Sequence, residues 1–411
     1  MKDVDIYLFE DLVGKLSVDR YGTLSFQYDS KYLTSEKSAP ISCSLPLKEE
    51  LYYGQEAHTF FQGLLPEETQ LQNISKAIGT DPENAFRLLN ELGKETVGAL
   101  TIGQSSDTHK PSYELLITNQ ITNLLEQKEA VSSNLYLQNQ VRLSLAGAQS
   151  KFSVLYQNEN YYLTQYGAIS NRIVKPSSDT YSNLVENEYL SMTLATACGI
   201  NTAHCSLEQF GTKLAYVVDR FDRKTEDGNL KKIHQEDFCQ AAGVLSSNKY
   251  ERDGGPSFIT CLEIINNNCS IPALAIGQFI DLFIFNFLIS NKDAHGKNFS
   301  LLHDLKHTTL TPAYDLVATG LYPNLSQDMA MGVNGLYIDS VIALEDWDNM
   351  CSQGGISFKR FQVRYKRIHD LLNAALNQLQ HDLIDQKYLN TYKSYIQNRL
   401  DTYIELGNES K

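Results

Sequence analysis

Leu288-Ile289-Ser290-Asn291-Lys292-Asp293-Ala294-His295-Gly296-Lys297-Asn298-Phe299-Ser300 is the stretch around which this 411-residue chain is organised. An apolar run, Leu282 to Ile289, delivers a short polar loop carrying Asp293, His295, Lys297 and Asn298. A second apolar step, Phe299 to Leu302, follows, and then Thr311-Pro312-Ala313-Tyr314-Asp315-Leu316. Asp293 and Asn298 stand in D-x-x-x-x-N order. In a phosphoryl-transfer loop of that order the aspartate takes the hydroxyl proton and the asparagine holds metal. Asp315, on an apolar-flanked turn, is placed like the second metal-holding aspartate. Such chemistry needs this set because the protein must chiefly orient a hydroxyl and neutralise phosphate charge through magnesium. An Asx-rich turn capping a helix would explain the polar residues but not their order. The spacing alone is common by chance, Asn291 stands where a kinase loop has His, and Tyr314-Asp315-Leu316 is not D-F-G.

Composition narrows the class. The chain can bury a large core in two or three domains. Hydrophobic content of 42% and charged content of 20% are those of a soluble globular protein. A net charge of −14 argues against a general attraction to nucleic acid or anionic membrane. Seven cysteines, with no C-x-x-C pair, read as reduced thiols of a cytoplasmic protein. Met1-Lys2-Asp3-Val4-Asp5 has acids where a signal peptide needs an apolar stretch. The run Leu274 to Ile289, broken by Gln278, Asp281 and Asn286, reads as a buried core helix too short and polar for a membrane span.

Apolar and polar residues alternate over 4–33, with Gly14 and Tyr21-Gly22 at turns, which predicts a small antiparallel meander. Residues 59–92 switch to helical spacing, and Val97 to Ile102 returns to strand. Residues 1–105 thus form an α+β subdomain with no titratable constellation. The Asn/Gln/Ser-rich stretch 106–135, with a helix at Ile117 to Ala130, is the linker candidate. Val141 to Leu155 reads strand, glycine turn, strand. Ala146-Gly147-Ala148-Gln149 can cradle nucleotide phosphates with backbone N–H groups, and Lys151 adds a charge beside them. Taken by itself this segment reads better as an ordinary hairpin, and it is not a Walker A loop. Arg172 to Pro176 is a strand closed by Lys175, which Glu188 on the helix over 183–198 could pair. Leu214 to Val218 is a buried strand running into Asp219-Arg220-Phe221-Asp222-Arg223. From 236 onward the pattern is helical: 236–243, 256–268, 272–290, 357–383 and 385–406. The expectation is an α+β chain: a two-lobed, protein-kinase-like fold with a β-rich lobe over 136–235 and an all-helical lobe over 236–411. Lys359, Arg360, Arg364, Lys366 and Arg367 form a basic cluster on an amphipathic helix. It is read as a solvated face, with a DNA-backbone contact as the lesser option.

The loop and the Leu310-to-Asp315 segment resemble the active site of the HipA toxin kinases, the serine/threonine-kinase halves of bacterial toxin–antitoxin pairs. The resemblance extends to Leu145-Ala146-Gly147-Ala148-Gln149-Ser150-Lys151, Asp219-Arg220-Phe221-Asp222-Arg223, His234-Gln235-Glu236-Asp237-Phe238-Cys239-Gln240, and Ser246-Ser247-Asn248-Lys249-Tyr250 with Asp253-Gly254-Gly255-Pro256. These blocks keep their order over residues 1–330. The resemblance implies ATP and Mg2+ as cofactors and Ala146 to Lys151 as the phosphate loop. Lys175 would be the ATP-phosphate lysine, the backbones of Asp219 and Phe221 would meet adenine, and Asp222 would lie near the ribose. Asp293 would be the general base, Asn298 and Asp315 the metal ligands, and His295 and Lys297 helpers, His295 bridging the loop to the phosphates or simply holding it. The resemblance also implies autophosphorylation at Ser144 and an aminoacyl-tRNA synthetase as protein substrate; Ser150, inside the loop, is a competing acceptor without a counterpart in the family pattern. The partner it implies is a helix-turn-helix antitoxin facing residues 1–105, with DNA reached through that antitoxin.

Two functions fit. One is a magnesium- and ATP-dependent serine/threonine kinase. The other is a degenerate kinase fold acting as co-repressor with a helix-turn-helix partner. A dead kinase usually loses a metal ligand, and here the set is complete.

Overall fold

The alternating N-terminal segment becomes sheet in a computed structural model, which describes residues 2–103, 110–137, 149–304 and 307–404. Two units interleave along the chain. Unit one takes Met1–Ser177, Glu208–Ser247 and Ser300–Thr308; unit two takes Ser178–Leu207, Asn248–Phe299 and Thr309–Lys411.

Unit one begins with an antiparallel five-stranded sheet, ordered Tyr52–Tyr53, Leu24–Tyr28, Asp11–Val18, Lys2–Leu8 and Leu100–Ile102. Val4 lies opposite Leu16, and Leu16 opposite Phe26, so the three share one face. Phe60, Phe61, Leu88 and Leu89 from the helices Gln55–Gln62 and Ala85–Leu92 join them in one core. Burying each such side chain contributes about 1.5–3 kcal/mol. Gly14, expected at a turn, instead lies within Asp11–Val18, and a Cβ there would sit 2.3 Å from the Gln27 carbonyl oxygen. The turn before it is made by Phe9, in left-handed backbone at φ 59°.

A second, six-stranded sheet runs Cys205–Phe210, Lys213–Asp219, Arg172–Pro176, Phe152–Gln157, Asn160–Gln165 and Ser112–Leu116. The stretch read as a linker is therefore corrected. Ser112–Leu116 is an edge strand paired to Asn160–Gln165, and Ile121, Leu124, Leu125, Val131 and Leu135 are buried in this sheet's core. The polar composition hid an apolar stripe at helical spacing. The strand-and-turn reading of 141–148 lies outside the described residues.

Four buried charges tie segments of unit one together. Arg220 pairs with Glu95 at 3.3 Å and with Asp222 at 2.7 Å; Arg223 pairs with Glu95 at 3.1 Å and Asp222 at 2.9 Å. Both guanidiniums also donate to the Thr96 carbonyl, and Gly98 N–H donates to Asp222 at 2.7 Å. Gly98 is at φ +78°, and a Cβ there would sit 2.8 Å from Gln235 nitrogen. Burial alone would raise the Asp222 carboxyl; Arg220 and Arg223 outweigh it and hold the group well below the usual range.

The helix expected over 236–243 is shorter. His234–Asp237 is a strand paired with Ser300–Asp304, and the helix is Phe238–Ala242. Asp237 accepts from Gln240 N–H at 2.8 Å while the Gln240 side chain accepts from Asp237 N–H at 3.0 Å, a capping box that fixes the start. Strands Ser300–Asp304 and His307–Leu310 likewise place β-structure inside the half read as all-helical.

Unit two is built mainly of helices, among them Leu184–Ala197, Phe258–Asn268, Pro272–Ile289, Leu344–Gln353, Phe358–Gln378 and Gln386–Thr402. Trp347 is fully buried, its ring 4.9 Å from Phe287 and 5.3 Å from Phe361. Pro272–Ile289 is longer and more apolar than the sequence reading allowed, enough by length and composition to cross a membrane, but 67% of it is buried inside the protein, as expected of a core helix. The fold is α+β, with a strand-rich unit and a helical unit. All seven cysteines are thiols rather than disulfides.

Two outcomes follow from unit one. Asp222→Ala is expected to destabilise the protein by about 3–5 kcal/mol in chemical denaturation, because two buried guanidiniums lose their shared anion. A loss below about 1 kcal/mol would show that the cluster tolerates an unpaired cation. His234 gives a pH outcome. Its Nε2 lies 2.8 Å from the Ile41 carbonyl and its Nδ1 accepts from Ala99 N–H at 3.5 Å, the arrangement of a neutral ring. Burial, then the neighbouring His303, pushes its pKa from 6.5 to about 4. Between those values the unfolded chain binds a proton that the folded chain does not, so stability falls as pH drops from 6.5 toward 4. Thermal melts should show this loss, and His234→Gln should show less of it.

Candidate active site

The helix Pro272–Ile289 stops at Ser290, which takes the left-handed cap conformation at φ 60° without a glycine. Asn291 N–H donates to Asn286 carbonyl at 2.8 Å and Ser290 N–H to Phe287 carbonyl at 3.2 Å, closing the helix end. The Ser290 carbonyl accepts from Gly320 N–H at 3.0 Å, so the loop leaves from a fixed point.

Asn291, where a kinase loop has His, works locally. Its amide nitrogen donates to the Asn286 side chain at 2.9 Å and its oxygen accepts from Asp293 N–H at 3.2 Å. The Asp293 carbonyl accepts from His295 N–H at 2.8 Å and from the Asn298 side-chain nitrogen at 3.0 Å. That second bond turns the Asn298 amide so that its oxygen, a hard ligand suited to Mg2+, is the atom available to a cation. The Asp293 carboxylate is 49% exposed, accepts from the Tyr250 hydroxyl at 2.6 Å and lies 3.8 Å from His295 Nε2. His295 and Lys297 are buried, and the His295 ring packs edge-on against Tyr250 at 5.2 Å. Gly296 N–H donates to the Lys249 carbonyl at 3.2 Å, holding the loop to the segment that carries Tyr250.

Asp315 is positioned from below. Ala313 is bracketed by bonds to Asn201 and Ala203, and the Tyr314 hydroxyl donates to the Lys297 carbonyl at 2.7 Å. Asp315 itself sits in left-handed backbone at φ 59°, a conformation that costs a non-glycine residue about 1–3 kcal/mol and collects at functional sites. Between Asn291 and Asp293, Lys292 points into unit two and meets Asp339 at 2.5 Å; Arg399 meets the same carboxylate at 2.5 Å. Burial would raise the Asp339 carboxyl, but Lys292 and Arg399 hold it below its ordinary value. Tyr250, Asp339 and Arg399 were missed as site residues, since each lies far along the chain from the loop. Lys292 alone carried a signal, as a lysine next to an apolar helix end.

The nucleotide-side candidates belong to unit one. Lys175 is buried in Arg172–Pro176 opposite Tyr216, with its ammonium 5.6 Å from that ring's centre. Gln149 and Lys151 precede the strand Phe152–Gln157, and the Lys151 carbonyl accepts from Ser132 at 2.7 Å. Asp219 ends its strand paired to Arg172 at 2.8 Å, and Phe221 follows in the turn. Asp222, expected near a ribose, is 3% exposed, with both oxygens in the four-charge cluster. Ala146, Gly147, Ala148 and Ser144 lie outside the described residues. Ser150 is buried and donates to the Lys128 carbonyl at 2.6 Å. In unit two, Glu188 is buried at 1% exposure. In the basic cluster, Arg364 and Arg367 both bind Asp281 of Pro272–Ile289, at 2.9 Å and 2.5 Å, and Lys366 pairs with Asp370.

Comparison with known proteins gives the family of the chain. Residues 4–103 match the HipA N-terminal domain and residues 143–383 the HipA-like C-terminal domain. The chain is 34% identical over 383 residues to the putative kinase Y4mE of Sinorhizobium fredii, covering 91% of each protein. It is 27% identical over 363 residues to the serine/threonine-protein kinase toxin HipA of Shewanella oneidensis, covering 84% of this chain and 82% of that one. Its fold superposes on HipA from the Shewanella oneidensis HipA, HipB and operator DNA complex with a TM-score of 0.86, at 25% identity over 99% of this chain and 100% of that one. Matches to both family domains, and a relative sharing a third of its residues along nine-tenths of the chain, place this protein in the HipA family of kinases.

Proposed function

We propose that the chain transfers the γ-phosphoryl group of ATP, with Mg2+, to a serine or threonine hydroxyl of a protein. The observation that carries this is Asp293: a half-exposed carboxylate on a loop held at its own carbonyl by His295 and Asn298. Asp293 accepts the hydroxyl proton as the oxygen attacks. Tyr250 fixes the carboxylate by donating to one oxygen, which leaves the other to the substrate. The oxygen-donor set of Asn298 and Asp315 fits Mg2+, a hard cation. Magnesium, when bound, neutralises the charge of the phosphates. Lys175 is the phosphate clamp in this reading, Ala146 to Lys151 the phosphate loop, and the Asp219-to-Phe221 backbone the adenine edge. The four-charge cluster gives Asp222 the task of holding that edge in shape rather than meeting the ribose directly.

The protein acts as a HipA-type toxin in this reading. The substrate that the family resemblance implies is an aminoacyl-tRNA synthetase, and the partner a helix-turn-helix antitoxin meeting residues 1–105. The Shewanella relative was solved together with HipB and operator DNA, which supports the partner. DNA contact through the basic helix has little support, since Arg364 and Arg367 are bound to Asp281. Autophosphorylation is assigned to Ser144, because Ser150 is buried and engaged.

Incubation with radiolabelled ATP, magnesium and a cell lysate tests the reading. Asp293→Asn should melt like the wild type and transfer phosphate roughly 10²–10⁴-fold more slowly; an unchanged rate sinks the catalytic assignment. Tyr250→Phe removes a single hydrogen bond, generally worth about 0.5–1.5 kcal/mol. Its kcat should fall by roughly tenfold or less, with the melting temperature preserved. Mass spectrometry should find phosphate on Ser144 in the active protein and none in Asp293→Asn. Phosphate on Ser150 alone would reverse the choice of acceptor.

A further inference from the structure

Away from the phosphoryl-transfer residues, three side chains of unit one converge in the manner of a metal site. Cys43 sits in the tight turn closed by the Ser42–Leu45 bridge, Glu236 in the strand His234–Asp237, and His303 in its partner Ser300–Asp304. A sulfur, a carboxylate oxygen and a ring nitrogen from the three all lie within 4.8 Å of one another. The register explains how. Glu236 is opposite Leu301, so His303 is its diagonal neighbour on the same face, with Nε2 2.9 Å from the carboxylate. Tetrahedral zinc, with sulfur at about 2.3 Å and nitrogen or oxygen at about 2.0–2.2 Å, spaces its ligand atoms by roughly 3.3–3.8 Å. Small side-chain rotations separate the observed cluster from that spacing.

A second observation concerns charge. Glu236 is fully buried, yet among the described residues its ion-pair partner is His303; its other contacts are the Ser42 hydroxyl and Cys43 N–H. A buried carboxylate with no lysine or arginine beside it is a place where a divalent cation is favoured. The outer contacts are those of a ligand set. His303 Nδ1 lies 3.1 Å from the Thr308 hydroxyl, which fixes the ring as partners of metal-bound imidazoles do. Ser42 and Cys43 N–H hold the carboxylate in the same way. Cys43 and His303 are both partly exposed, so water can take the fourth position.

We propose that Cys43, Glu236 and His303 form a zinc site that clips the 42–45 turn to the paired strands, independent of phosphoryl transfer. Binding releases the Cys43 thiol proton, moves the His303 proton from Nε2 to Nδ1, where it is donated to the Thr308 hydroxyl, and replaces the His303–Glu236 hydrogen bond with two metal–ligand bonds. The test uses the reduced, chelator-treated full-length protein, titrated with Co2+ and then Zn2+. One equivalent of Co2+ should produce a thiolate-to-cobalt charge-transfer band, Zn2+ should displace it, and Zn2+ should raise the melting temperature. Cys43→Ser should lose the band, and His303→Asn should bind Co2+ about tenfold or more weakly. No band in the wild type overturns the proposal, and so does an undiminished band in Cys43→Ser, which would assign it to another cysteine. If Cys43→Ser does not fold, His303→Asn carries the test alone, and unchanged cobalt affinity there rejects the site.

Discussion

Arg220 and Arg223 can be buried only because Glu95 and Asp222 are buried with them. Two cations and two anions make the cluster neutral, and the remaining donors reach Thr96, Gly98 and Ser170 rather than solvent. The arrangement joins the end of the first sheet to the turn after the strand Lys213–Asp219. Breaking such a set costs far more than forming it contributes, since removing one member strands the others in a low dielectric. Its value lies in fixing geometry. The turn that carries Asp219 and Phe221 has one shape because its neighbours on both sides are clamped.

Unit two solves a different problem, that of presenting a carboxylate to solvent on a loop that does not wander. The means are backbone ones. The loop's own carbonyls and amides are bonded to each other, to the closed helix end at Ser290 and to Lys249, while Lys292 anchors inward on Asp339. Asp293 is left with an exposed side chain on an over-determined backbone. That combination suits the base role proposed for Asp293, because precision at a reacting atom comes from what holds the residue rather than from the residue itself.

Much of this was legible in the sequence, and unevenly. The polar loop of Asp293 and Asn298 stood out as a short break between two apolar steps. D-x-x-x-x-N is common by chance, however, and the ordered blocks along the chain were needed to single out these residues and Asp315 as candidates. The meander at 2–28 was visible as period-two alternation. Tyr250 was not, because a hydroxyl donor 43 positions away leaves no local trace. Ser112–Leu116 was hidden by composition: an edge strand needs apolar residues on one face only, and its polar face resembles a tether. The strand His234–Asp237 went unseen, and Glu236 and Asp237 were read as the start of the next helix, because four residues are too few to show a period. Asp222 was legible as important but not in kind, since a charged residue after a strand reads the same whether it meets a ligand or two arginines.

The interleaving of the two units has a consequence for how the chain can be made and broken. Unit one is incomplete until Ser300–Thr308 has been synthesised, and unit two draws on residues from 178 to the far end. Neither can close early during translation, so the contacts that finish both are long-range and form late. No single cut near the middle liberates a finished half. A protease that nicks the chain between residues 178 and 300 leaves two fragments, each missing part of both units. Such topology makes the folding of each unit depend on the integrity of nearly the whole chain.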